Sequence, residues 1–379
     1  MRLAVCCAAL ALGPHIARAQ LPIERLELVP GVGVDTTAQP VGEIFAVLRR
    51  YLTTGTDAGR AALWSRPERT RWPVFDLVGQ AVYQGHSRFT VVELRPTVGL
   101  AGTFRVRILV AADHEGRPAT PIMLYQLYAV HEDGAWVLAN ALPRLTRGRQ
   151  RELVGAITFT FPRGHAFMRT DARSSARFVD SLANAFRLPR PGPIEYYLTD
   201  DLQETLRALG LEWYPFAPDS IGGRANAFNR QVFVGLPSHG EAYRHELAHV
   251  VLQPLIGLNT SGVLMEGVMT WAGGRATRVF RDLPRGLAEY LAAHPGLTLD
   301  TILRDPPERA NGVDPAYDGL AVLCHMVAEA GGAAAVRTLL AAGREPNEVL
   351  NAAVDLLRMP RDRLEDRWRS VVADLARRR

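Results

Sequence analysis

Apolar residues recur at helical spacing early in the chain, at Val41, Ile44, Phe45, Val47, Leu48, Tyr51 and Leu52, and predict a helix within 41–63. Between 75 and 142 the pattern changes to alternations and short apolar runs. Residues 89–94, 104–110, 122–128 and 135–138 read as strands, and His131-Glu132-Asp133-Gly134 reads as the hairpin turn joining the last two. Further strands are expected at 157–161, 194–198 and 231–235. Helices are expected over 172–186 and 202–209, the second stopped at Gly210. From Ala242 the pattern is mainly helical to the end.

This order of elements predicts an α+β protein in two domains, 20–150 and 151–379, which suits a length of 379 residues. The first would be a helix followed by an antiparallel sheet, an order that resembles the nuclear-transport-factor-2-like or cystatin-like folds. The second would hold a small mixed sheet and a mainly helical C-terminal part. Arg144, Arg147, Arg149 and Arg151 stand at the boundary, either as an anion site or as a solvated linker.

The first residues follow another pattern. Met1-Arg2, the apolar run Leu3 to Leu12 and the small-x-small triplet Ala17-Arg18-Ala19 predict a signal peptide over 1–19, and hence an exported, periplasmic or secreted, protein. No later stretch offers eighteen uncharged apolar residues, so no integral membrane span is expected. Cys6 and Cys7 belong to the leader, which leaves Cys324 without an intrachain disulfide partner. All 44 basic residues are Arg, and the net charge is +5. Removing Arg2 and Arg18 with the leader leaves 42 Arg against 39 acids, a charge of +3. That near-balance, with acids interspersed, argues against a nucleic-acid partner.

Chemistry concentrates in His245-Glu246-Leu247-Ala248-His249, an H-E-x-x-H sequence. On a helix, positions i and i+4 share a face, so both imidazoles can reach one metal ion while Glu246 stands ready to accept a proton from water. The apolar flanks Tyr243, Leu247, Val250, Val251 and Leu252 predict a buried amphipathic helix. A third ligand is required. Leu252 and Leu255 occupy the positions where the metzincin pattern needs Gly and His. The motif helix should end near Gln253-Pro254, and Thr260 or Ser261 can cap a second one. In an antiparallel hairpin Glu266 then comes level with His249, which makes it the natural third ligand. Glu289, in Gly286-Leu287-Ala288-Glu289-Tyr290, is the rival.

The run Leu264-Met265-Glu266-Gly267-Val268-Met269-Thr270-Trp271 resembles the second zinc-binding helix of gluzincin peptidases, the peptidase MA-like, aminopeptidase-related families, over about 157–375. The resemblance implies a zincin-like domain with Zn²⁺ held by His245, His249 and Glu266, and Glu246 as general base in the hydrolysis of peptides or proteins. It also implies an edge strand near Ala225 and Asn226 that pairs with substrate backbone, and a Tyr, Tyr317 or Tyr290, that stabilises the oxyanion. The chain departs from the family form in having Leu264-Met265 ahead of the Glu-Gly pair, and Thr270 and Trp271 after it, where a Trp-Leu pair and a second acid are common. An alternative of another class is a non-catalytic binding or scaffold protein with a structural zinc.

Overall fold

The computed structural model describes residues 27–78, 88–114, 117–214 and 222–378. The expected leader, 1–19, lies outside them. The fold is mixed α+β with two mixed sheets and a helical C-terminal part, as the hydrophobic pattern predicts. Two compact units are present. Among the described residues, one comprises those within 27–150, 160–163 and 199–214, and the other those within 151–159, 164–198 and 222–378.

The sheet of the first unit runs β1 (Glu27–Pro30), β2 (Arg88–Pro96), β3 (Thr103–His114), β4 (Arg117–Glu132), β5 (Ala135–Ala139), with β9 (Leu211–Trp213) also pairing to β4. β2 to β5 are antiparallel neighbours, whereas β1 joins β2 in parallel. Strands of four and three residues, as β1 and β9 are, carry too little alternation to be read from sequence. The β4–β5 hairpin closes through Asp133 and Gly134, both at positive φ, the conformation of a two-residue type I′ turn. The helix expected within 41–63 divides into Val41–Thr53 and Asp57–Ala62, because Thr56 caps a new helix by accepting from the Gly59 N–H. Ile44, Phe45, Val47, Leu48 and Tyr51 bury one face of the first helix against Phe89, Val91, Val106, Ile108 and Tyr125 of the sheet.

Arg144 is neither linker nor anion site. It donates at 2.6 Å to the buried carboxylate of Glu68, which also accepts from Trp64 Nε1 and from both the backbone and side-chain nitrogens of Asn140. Arg149 pairs with Glu204 in the same unit. The segment 199–214, which follows the expected boundary at 150, groups with the first unit through its helix Leu202–Ala208 and β9.

The order of the second sheet is β10 (Gly223–Asn226), β11 (Gln231–Val234), β8 (Ile194–Leu198), β7 (Ile157–Phe161), β6 (Gln150–Val154). β10 is antiparallel to β11, and β11 parallel to β8. The H-E-x-x-H motif lies on a helix, Arg244–Leu252, which gives way at Gln253-Pro254 to a 3-10 turn. Ser261 caps the following helix, Gly262–Gly273, by accepting from the Leu264 N–H. Two glycines set how closely this second helix packs. A Cβ on Gly267 would lie 2.4 Å from Leu320 Cβ, and one on Gly273 would lie 2.6 Å from the Arg244 carbonyl group.

Leu320 belongs to the long helix Pro315–Leu340, which bends at Gly331 and Gly332. By length and composition this helix is long and apolar enough to cross a membrane, and 56% of its apolar window is buried inside the structure. Cys324 is fully buried within it, and burial pushes its thiol well above the usual range, as suits an inert core residue. Trp368 of the last helix, Leu364–Arg377, donates its Nε1 hydrogen to the Gly319 carbonyl at 3.0 Å.

Candidate metal centre

The motif helix and the helix after it bring His245, His249 and Glu266 together, their ligand atoms all within 4.8 Å of one another. His245 Nε2 lies 3.1 Å and His249 Nε2 3.5 Å from the same oxygen, Glu266 Oε2. The other nitrogen of His245, Nδ1, is 3.0 Å from the carbonyl oxygen of Gly274. A carbonyl can only accept, so Nδ1 carries the hydrogen and a neutral His245 turns a lone pair at Nε2 toward Glu266. Two imidazole nitrogens and a carboxylate oxygen thus converge on one another. Such a set is favourable only with a proton or a cation in its midst, and it has the two-nitrogen, one-oxygen composition of a metal site. The group can hold a metal ion.

The electrostatics agree. Burial pushes the Glu266 carboxyl up, but the imidazoles of His249 and His245 outweigh it and hold the group well below the usual carboxylate range. Glu246, 7% exposed, shifts the other way: desolvation raises it, and Glu266 adds to the rise, against the pull of both imidazoles. A hydrogen bond from the Ala225 backbone of β10 also favours its charged form. Of the edge-strand residues, Ala225 therefore lies at Glu246, whereas the Asn226 side chain is spent locally, capping the turn Ala227–Asn229. β10 ends the sheet order and pairs only with β11 among the described strands.

Tyr317 stands in the first turn of the long helix with its ring parallel to that of His245, 6.1 Å between centroids and 4° between planes. Its hydroxyl makes no hydrogen bond among the described residues. Burial and the nearby Glu266 keep the phenol protonated, so it remains a donor. The rivals lie elsewhere. Tyr290 stacks on His294, and Glu289 forms an exposed ion pair with Arg285 one helical turn away.

Tyr243, read from sequence only as an apolar flank, is a wall of the site. Its ring lies 6.2 Å from that of His245, and burial followed by Glu246 and Glu266 holds its phenol protonated. Its place two residues ahead of His245 is the one signal in the sequence. His239 packs edge-on against Tyr243 with a buried Nε2 that has no partner among the described residues.

A further set of buried pairs surrounds Gly274 and Tyr317. Arg275, next after Gly274, binds Asp318 through two bonds of 2.9 Å and also donates to the Gly312 carbonyl. Asp314 accepts from the Tyr317 backbone N–H and pairs with Arg309, whose guanidinium lies 5.1 Å from the centre of the Tyr317 ring. No protein-family model matches the chain, and a search of curated proteins finds no match.

Proposed function

We propose that the second unit is a zinc peptidase of the gluzincin type, working in an exported protein. The observation that carries this reading is the convergence of His245, His249 and Glu266 with the buried acid Glu246 beside them. A structural zinc site needs no such acid, whereas hydrolysis does. Zinc, when bound there, would supply a Lewis acid that polarises the scissile carbonyl and makes water more acidic.

The protein's own residues do the rest. His245, His249 and Glu266 would hold the ion, with the Gly274 carbonyl fixing the orientation of His245. Glu246 takes the proton of the attacking water and returns it to the departing amine. The protonated hydroxyl of Tyr317, or that of Tyr243 from the neighbouring wall, donates to the oxygen that gains charge. An extended peptide would lie along β10, pairing with its backbone at Ala225 and Asn226.

The test compares Glu246→Gln with the parent protein for zinc content and for cleavage of a peptide library. Equal zinc with cleavage lowered at least a hundredfold supports the reading. Equal zinc with no cleavage by either protein favours a non-catalytic zinc protein.

A further inference from the structure

Arg309 has no role in the chemistry above, yet it stands beside it. Guanidinium, phenol and imidazole are neighbours: the Arg309 guanidinium lies 5.1 Å from the centre of the Tyr317 ring, and that ring is parallel to the ring of the metal-ligand candidate His245, 6.1 Å between centroids. The arginine is fixed from two sides. Its Nε pairs with Asp314, a side chain only 5% exposed that also caps the helix carrying Tyr317. Its backbone leads into a tight turn in which Ala310 and Val313 exchange both hydrogen bonds across Asn311 and Gly312, each at positive φ. The outer edge of the guanidinium is different. The side chain is 43% exposed, and Nη1 and Nη2 make no hydrogen bond among the described residues. A planar two-donor edge without a partner among the described residues, on a part-exposed side chain whose Nε is tied to Asp314, matches a carboxylate.

We propose that Arg309 binds an anionic group of the substrate, so that the site takes peptides bearing a carboxylate near the scissile bond. The carboxylate is either the free C-terminus or an Asp or Glu side chain. The inference rests on the peptidase reading for the word substrate, but its test is separate.

Binding is measured on the zinc-loaded Glu246→Gln protein, which removes turnover, with blocked tetrapeptides in matched pairs. One pair differs as C-terminal acid and amide, and the other, amidated throughout, as Glu and Gln. The acid member of one pair should bind about tenfold tighter or more, and that pair names the source. In Arg309→Met the ratio should fall to near one, and Arg309→Lys should keep part of it. Zinc content of each variant verifies the site, and Arg309→Gln serves if the Met variant loses metal. A ratio near one with Arg309 intact overturns the proposal. A ratio that survives Arg309→Met also overturns it, because the carboxylate is then held elsewhere, for instance on the metal itself.

Cleavage of the same peptides by the parent protein separates the two readings. Charge preference in binding without any cleavage sinks the peptidase but keeps the Arg309 site, and cleavage without charge preference does the reverse.

Discussion

The pair Arg275–Asp318 offers a quantitative test of how the site is held. Asp318 is 1% exposed and Arg275 13%, and they join residues 43 apart through two bonds of 2.9 Å. Burial pushes the Asp318 carboxyl up in spite of Arg275, so the pair is costly to desolvate. Replacing Asp318 by Leu leaves Arg275 with the Gly312 carbonyl alone and strips the Asp314 N–H of its acceptor. The expected loss is about 3–5 kcal/mol. The double replacement Arg275→Met with Asp318→Leu removes both charges and should recover most of it, to within about 1 kcal/mol of the parent. Urea unfolding of the four proteins gives the coupling, expected at about 5 kcal/mol or more if Arg275→Met, which strands the buried Asp318, costs as much as Asp318→Leu. Because Arg275 adjoins Gly274 and Asp318 adjoins Tyr317, both single variants should also bind zinc roughly tenfold to a hundredfold more weakly, read by chelator competition. Losses that simply add in the double variant would refute the argument.

Glu266→Ala should abolish stoichiometric zinc in the purified protein, while Glu289→Ala, which removes an exposed pair, should leave it unchanged; elemental analysis decides, and the opposite result exchanges the ligands. In the metal-free site, burial lowers the His249 imidazole, but Glu266 outweighs it and raises it, so His249 holds a proton to higher pH than an ordinary His. Metal must displace that proton, so zinc affinity should fall as pH falls through the His range. Calorimetry near pH 6 in buffers of different ionisation heat should register proton release, and none would count against the site. Glu68→Gln should destabilise the first unit by about 3 kcal/mol in urea unfolding, through Arg144, Asn140 and Trp64, with zinc content unchanged.

The parts of the site visible in sequence are those that local geometry dictates. Residues i and i+4 of a helix share a face in any fold, so His245 and His249 could be paired before any contact was known. Gln253-Pro254 and Ser261 are local stop and start signals, and together they bring Glu266 level with His249. Alternation over 89–138 likewise announced the sheet of the first unit, since burying one face imposes a period of two. Everything that depends on chain crossing was decided by packing. The order of residues does not say that the Gly274 carbonyl would hold His245, or that Tyr317 rather than Tyr290 would lie against it. Nor does it say that Arg144 would turn inward to Glu68, or that 199–214 would return to the first unit. These are long-range pairings between residues whose own propensities permit many partners. In the second unit the close fit of the helices at Gly267 and Gly273 selects among them, and in the first the burial of Glu68 and the pairing of β9 with β4 do so.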